Sequence, residues 1–163
     1  MDIYANMALL LQGLGENIGL DISSPELNDN YFCLAVDTNR VLNLLLNPAT
    51  QSCVFHMEFR KNTVFSSGSS EERIARLAFL LGANVMLIGA NGAAIGYDAD
   101  TDTASMSMRY DIPDEITEHA QELFISNLTT FLDTFNRWAE HIESASDSTG
   151  NSTKVFQMDF LKV

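Results

Sequence analysis

The feature that most constrains the fold is an apolar stretch in the middle of the chain, residues 74–88, IARLAFLLGANVMLI. At helical spacing its apolar residues leave almost no polar face, and a helix that is apolar nearly all round is buried on more than one side. Arg76, Gly82 and Asn84 interrupt the run, which is also shorter than the roughly 20 apolar residues of a membrane span. One face can pack on the chain's own sheet. The other face predicts contact with a second protein chain.

Charge limits the kinds of partner. The 163 residues include nine Lys and Arg against 22 Asp and Glu, a formal net charge of −13. Such a field repels nucleic-acid backbones and anionic lipid surfaces, so we expect neither nucleic-acid binding nor membrane insertion. The start of the chain is acidic and lacks the basic leader of a secretory signal, which predicts a cytoplasmic protein.

Periodicity predicts an α+β chain with the order helix, three-stranded antiparallel meander, helix, β-hairpin, helix. We expect these elements to form one domain over residues 1–143, a two-layer sandwich that assembles as a homodimer. A flexible linker and an apolar C-terminal tail follow over 144–163. The predicted elements are a helix over 2–18, strands over 31–37, 41–46 and 53–59, a helix from Ser69 or Ser70 to about residue 86, strands over 93–97 and 104–110, and a helix from Pro113 to Ile142.

The motifs that could carry chemistry are weak. Asp98, Asp100 and Asp102 resemble the start of a calcium loop, but Thr103 and Arg109 stand where that loop needs glycine and glutamate. A solvated hairpin turn is the better interpretation. The three histidines lack metal-ligand spacing. We therefore expect no catalytic residue, no metal and no cofactor.

The two cysteines, Cys33 and Cys53, each lie inside an apolar, strand-like run. We expect two buried free thiols in a reducing cytoplasm rather than a disulfide. A cysteine–histidine nucleophilic pair is a remote alternative, because both cysteines have the surroundings of core residues.

Several segments together resemble the class I type III secretion chaperones, the Tir-chaperone family. They are MALLLQGLGENIGL, YFCLAVD, VLNLLL, LAFLLGANVM, GAAIGYDADTDTASMSMRYDIP and FLDTFNRWAEHI, within residues 3–142. The resemblance implies an acidic cytosolic homodimer of a Gram-negative bacterium with no enzymatic activity. It implies binding of the N-terminal region of a secreted virulence effector in extended form, which keeps the effector soluble and competent for secretion. The secretion-system ATPase is a further partner that it suggests.

The resemblance also implies positions for two surfaces. An extended ligand needs apolar pockets for alternate side chains and a sheet edge for backbone pairing, for which the first helix and the meander are the expected place. The implied dimer interface comprises Leu77, Leu80, Leu81, Val85, Met106, Met108 and Tyr110. The implied effector-binding residues are Leu10, Leu14, Leu34, Val36, Leu44, Leu46, Phe55 and Met57. Alternation alone does not separate pocket residues from core residues in this set.

Alternatives remain open at the level of the sequence. The runner-up function is a dimeric cytosolic adaptor or regulatory binding protein of the same fold without a secretion role. A small hydrolase or metal-dependent enzyme comes third. The tail is either a disordered end or a segment whose Phe156, Met158 and Phe160 occupy an effector groove or sheet edge until cargo displaces them.

Overall fold

The computed structural model describes residues 2–19, 30–59, 69–85 and 90–144, with the side chains of 141–144 excepted. The predicted linker and tail beyond Ser144 lie outside the described residues. The elements are α1 (Ile3–Ile18), β1 (Tyr31–Asp37), β2 (Arg40–Asn47), β3 (Ser52–Glu58), α2 (Ser70–Ala83), β4 (Ala94–Asp98), β5 (Thr103–Asp111) and α3 (Glu118–Ser144). This order confirms the predicted α+β class. Within the described residues, no helix is long and apolar enough to cross a membrane.

The five strands form one sheet in the order β1-β2-β3-β5-β4, so β1 and β4 are its two edge strands. The chain divides into two compact units. The first unit comprises Met1–Met57 and Met108–Leu132, and the second comprises Glu58–Ser107 and Asp133–Val163. The elements β3, β5 and α3 each contribute a part to both units.

In the first unit, an aromatic cluster fills the space between the sheet and α3. Phe55 of β3 is fully buried and makes edge-to-face contacts with Phe124 and Phe131 of α3, at ring-centroid distances of 5.6 and 5.9 Å. The helix α1 adds a buried apolar face, which begins where Asp2 accepts hydrogen bonds from the backbone N–H groups of Tyr4 and Ala5. Such an N-cap satisfies donors that the first helical turn leaves unpaired.

In the second unit, α2 begins with a capping box. The Ser69 hydroxyl accepts from the Glu72 backbone N–H at 3.3 Å, and the Glu72 carboxylate accepts from the Ser69 N–H at 2.8 Å. These two bonds fix the start of the helix at the residues that the sequence predicts. Phe79 of α2 then packs against Trp138 of α3, with 5.5 Å between ring centroids.

Two sequence-based expectations are wrong in detail. The last helix begins at Glu118 instead of Pro113, because the carbonyl groups of Pro113 and Asp114 accept hydrogen bonds from the Asn6 side chain at 2.9 and 3.1 Å. The hydroxyl of Thr117 accepts from the Ala120 N–H and caps the helix there. Cys33 is exposed instead of buried, because it lies on an edge strand and alternates with the half-buried Phe32 and Leu34.

Candidate functional site

The edge strand β1 presents backbone hydrogen-bonding groups along its outer side. Residues Tyr31 to Ala35 pair with Leu45 to Val41 of β2, and the Asn30 carbonyl accepts from the Leu46 N–H at 2.7 Å. Hydrogen-bonded and non-hydrogen-bonded pairs alternate along an antiparallel ladder. The backbone groups of Phe32 and Leu34 therefore face β2, whereas those of Cys33 and Ala35 face the outer edge. Among the described residues, β2 is the strand neighbour of β1.

The side chains beside this edge are apolar and only partly covered. Phe32 and Leu34 lie on the same face of the sheet as their cross-strand partners Leu44 and Leu42, which are fully buried. Phe32 and Leu34 are themselves half-buried, because no further strand flanks them within the described residues. The register shifts between Ala35 and Asp37, and the ladder of β1 becomes irregular there. The regular part of the edge is thus five residues long.

The eight residues expected to bind effector do not share one environment. Leu34 is half-buried and Val36 is 40 % exposed, so both are accessible at the edge. The remaining six lie in the core of the first unit, where they hold the sheet and helices together: Leu10, Leu14, Leu44, Leu46, Phe55 and Met57. Two of the eight residues, Leu34 and Val36, are therefore accessible to a partner.

The opposite face of the meander carries a second group of accessible side chains that the sequence prediction missed. Tyr31, Val41 and Leu45 are between 38 and 46 % exposed, and Tyr31 lies opposite Leu45 in the register. The Tyr31 hydroxyl donates to the Asn43 carboxamide at 2.5 Å, which places a polar group in the middle of this face. Strict alternation in β2, with Leu42, Leu44 and Leu46 buried, was the signal that could have identified it.

An aliphatic stripe runs along α2 in the second unit. Ile74, Leu81 and Val85 are 66, 65 and 65 % exposed, and Leu77 between them is half-buried. Ile74, Leu77 and Leu81, spaced three, four and seven residues apart, lie on one face of α2, and Val85 lies just beyond the last residue of the helix, Ala83. The opposite face supplies Leu80 and Ala83 to the core. The helix therefore has one face covered by its own chain and one face uncovered among the described residues.

The seven residues expected at the dimer interface divide in the same way. Leu81 and Val85 are exposed, whereas Leu77 is half-buried. The other four pack within the chain: Leu80, Met106 and Met108 are buried, and Tyr110 is half-buried. The Tyr110 ring stacks on Phe55 with 5.9 Å between centroids, and burial raises the pKa of its hydroxyl. Ile74 belongs to the exposed stripe but was not among the seven.

The aspartate-rich turn between β4 and β5 satisfies its own hydrogen bonds. The Asp98 carboxylate accepts from the Asp100 N–H at 2.9 Å and from the Thr101 hydroxyl, which lowers its pKa. The Tyr97 hydroxyl donates to Asp102 at 2.6 Å. No group of three or more His, Cys, Asp or Glu side chains in the described part of the chain is arranged to hold a metal ion.

The two thiols differ in burial. Burial raises the pKa of Cys53 to about 12, so this thiol remains protonated at neutral pH. Cys33 is exposed on the edge strand β1, where its sulfur lies 3.5 Å from the Asn43 side-chain oxygen. Both cysteines are free, as the sequence predicted.

Comparison with known proteins identifies the family. Residues 9–139 match the Tir chaperone protein (CesT) family. The chain belongs to this family, which confirms the resemblance seen in the sequence. Membership supports the chaperone function expected from the sequence and does not favour the adaptor alternative. No curated protein sequence matches the chain.

Solved structures share the fold at low sequence identity. The chain is similar to a chain of the ExsC–ExsE complex, with a TM-score of 0.66, 18 % identity, and coverage of 87 % of this chain and 97 % of that one. A chain of the HopA1–SchA chaperone–effector complex gives a TM-score of 0.57 at 10 % identity, with 86 and 97 % covered. A chain of the ExoT–SpcS complex from Pseudomonas aeruginosa gives 0.52 at 13 % identity, with 87 and 99 % covered.

Proposed function

We propose that this protein is a cytoplasmic, non-enzymatic chaperone of type III secretion in a Gram-negative bacterium. It binds the N-terminal segment of a secreted effector in extended form and keeps it soluble until secretion. Membership of the Tir chaperone family supports the class of function, and similar folds occur in the HopA1–SchA chaperone–effector complex. Delivery of the cargo to the secretion-system ATPase is a further step of this proposal.

The observation that carries the binding mode is the β1 edge. A polypeptide that adds a strand there forms backbone hydrogen bonds with Cys33 and Ala35, whose N–H and C=O groups face outward. Every second side chain of that added strand covers Phe32 and Leu34 and completes their burial. The backbone hydrogen bonds supply affinity that does not depend on the cargo's sequence. The apolar surface of Phe32 and Leu34 selects for cargo with alternating apolar residues.

Electrostatics favour a basic cargo segment. The chain carries a net charge of −13. The described arginines of the first unit, Arg40 and Arg109, each lie beside an aspartate, at 3.9 and 2.7 Å. Their charges are therefore largely compensated, and the acidic field remains to attract lysine and arginine side chains. Such a field also accelerates association at low ionic strength.

The exposed stripe on α2 supports a homodimer. A symmetric dimer uses the same patch on both copies, and aliphatic side chains at helical spacing pack well against an identical helix. Ile74, Leu81 and Val85 thereby become buried, which accounts for three large apolar residues that are exposed in one chain. Dimer contact and cargo contact then use different units of the chain.

The test of cargo binding begins with a protein that co-purifies from the native host. A synthetic peptide of that protein's N-terminal segment is titrated against the wild-type chain, Leu34→Lys and the matched control Val41→Lys on the opposite face. We expect Leu34→Lys to weaken binding at least about tenfold, because it places an ammonium group under the added strand. Val41→Lys should bind as the wild type does. The reverse pattern would place cargo on the opposite face and overturn this binding mode.

A further inference from the structure

The second edge of the sheet differs from the first, because a side chain occupies its backbone groups. Asn84 follows α2 directly, and its side-chain oxygen accepts from the Ile95 N–H at 2.7 Å. Its side-chain nitrogen donates to the Ile95 carbonyl, also at 2.7 Å. A carboxamide offers one acceptor and one donor side by side, as a backbone peptide group does. Asn84 thus makes with Ile95 the pair of bonds that a neighbouring strand would make.

The register shows how much of the β4 edge this pair occupies. The strand has five residues, Ala94–Asp98, and Ile95 lies opposite Met106 of β5. Since the Ile95 groups bond Asn84, they face away from β5. By the alternation of an antiparallel ladder, the backbone of Tyr97 faces the same way and that of Ala94 and Gly96 faces β5. Asn84 therefore occupies the backbone of one of two outward-facing residues on a strand that is already short.

We propose that Asn84 closes the β4 edge to strand addition by another polypeptide, so that β1 is the edge on which this protein accepts a strand. An unpaired edge is a template for pairing with other chains, and proteins block such edges with short strands and local covers. An incoming strand at β4 has to displace both Asn84 bonds before it gains ladder bonds at Ile95. The closure of β4 stands independently of cargo, whereas its consequence for cargo rests on the proposed function.

The difference between the β1 and β4 edges suits a protein that binds extended segments. With one accepting edge per chain, each copy holds one strand of cargo in one place. With two, a second copy of the chain or a second cargo segment can pair at β4. Because Asn84 follows the helix that carries the exposed stripe, the same two bonds also tie the end of α2 to β4. Asn84 is therefore a positioning residue as well as an edge cover.

The first measurement tests the Asn84 clamp, which is the pair of hydrogen bonds between the Asn84 side chain and the Ile95 backbone, in the intact protein. Amide hydrogen exchange of Ile95 is compared in the wild type, Asn84→Ala and the near-isosteric Asn84→Asp. We expect exchange at Ile95 to rise about tenfold or more in Asn84→Ala and to rise less in Asn84→Asp, whose carboxylate still accepts from the Ile95 N–H. Exchange at Ala94 and Gly96 should stay unchanged, because these residues face β5. Asn127→Ala is the matched control, since it removes a side-chain bond to the Leu123 carbonyl within α3 and frees no edge.

The second measurement tests edge closure. Sedimentation at rising concentration should show self-association of Asn84→Ala beyond the wild-type state. A lysine at the exposed Ala94 should suppress it, because a charged edge resists pairing. The double variant Asn84→Ala/Ala94→Lys should keep fast exchange at Ile95 while it returns to the wild-type sedimentation pattern. General destabilisation would not be reversed by Ala94→Lys.

The outcomes separate the two proposals. Wild-type sedimentation of folded Asn84→Ala, despite fast Ile95 exchange, would overturn edge closure. Unchanged Ile95 exchange in folded Asn84→Ala would overturn the clamp itself. Failure of Leu34→Lys to weaken cargo binding would count against the proposed cargo site and leave the closure of β4 intact. If Asn84→Ala does not fold, Asn84→Asp keeps the test decisive, since it removes the donor to the Ile95 carbonyl and should therefore also self-associate. Wild-type sedimentation of Asn84→Asp would then overturn edge closure.

Discussion

The β1 edge and the α2 stripe are both accessible and apolar, but they offer a partner different kinds of contact. The edge presents backbone groups of Cys33 and Ala35 next to half-buried side chains. The stripe presents aliphatic side chains, while its backbone is satisfied within the helix. A strand edge tolerates many sequences because every peptide has the same backbone. A helix face requires a complementary surface, which an identical helix supplies in a symmetric pair. The difference supports the proposal that variable cargo binds at the edge and that a second copy of the chain binds at the helix.

The largest effect is expected from a charge in the stripe. Leu81→Asp buries an unpaired carboxylate in the proposed interface of each copy, at a cost of about 3 kcal/mol. That corresponds to a dimer dissociation constant about 100-fold higher. Sedimentation at micromolar concentration should then shift from about twice the chain mass of 18.0 kDa to that mass.

A matched control distinguishes this effect from general damage. Leu123→Asp places the same charge at another exposed apolar residue, on α3 of the first unit. It should leave the dimer intact. A wild-type chain that sediments as a monomer at micromolar concentration would contradict the dimer, and a dimeric Leu81→Asp would show that the stripe is not its interface.

The next effect concerns the two thiols, of which Cys33 is exposed on β1 and Cys53 is buried in β3. Cys33 should react with iodoacetamide at pH 8 at the rate of an accessible thiol, whereas Cys53 should stay unmodified until the chain unfolds. Its raised pKa of about 12 and its burial leave almost no thiolate. Mass spectrometry of the alkylated peptides measures both rates.

The alkylation rate of Cys33 also tests whether cargo and the second copy of the chain contact separate surfaces. An added strand on β1 covers Cys33, so bound cargo peptide should slow its alkylation about fivefold or more. Leu81→Asp, which should dissociate the dimer, should leave the Cys33 rate of the free chain unchanged. Slower alkylation on dimer formation instead would place the edge in the dimer interface and break the separation of the two surfaces.

Sequence reasoning predicted the elements well because the patterns are local. Alternation in 31–37 indicates where β1 begins. The serine before α2 and the glutamates in its first turn indicate where α2 begins, and both elements begin as expected. The last helix was placed too early because the bond from Asn6 to the Pro113 carbonyl is non-local. No local pattern contains it.

The site was harder to predict than the fold, for a physical reason. Apolar residues at strand or helix spacing have the same pattern whether they are covered or open. Leu34 and Leu44 both alternate correctly, but their burial differs because β1 is an edge and β2 is not. Strand order is a property of the whole chain. The Asn84 clamp was equally invisible, because it joins residues 11 apart through one side chain.

The smallest effect concerns the cap at the start of α2. A change there should leave the β1 edge unchanged and the α2 stripe nearly so. Hydrogen bonds from the Ser69 backbone and side chain hold the pKa of the Glu72 carboxyl below its ordinary value of 4.5. A carboxyl with a depressed folded-state pKa contributes stability at pH above its unfolded value. That contribution is lost as the pH falls through the lower, folded value. Ser69→Ala removes the hydroxyl acceptor for the Glu72 N–H and should cost about 1 kcal/mol of stability.

An NMR titration should find the Glu72 pKa closer to 4.5 in Ser69→Ala than in the wild type, and thermal unfolding should report the loss of stability. Cargo affinity should not change, because the β1 edge lies in the other unit. The dimer should weaken only slightly, since the stripe residues Leu81 and Val85 lie more than two turns beyond the cap. A large loss of cargo affinity in this variant would mean that the edge depends on the start of α2, and the two surfaces would then have to be treated as one.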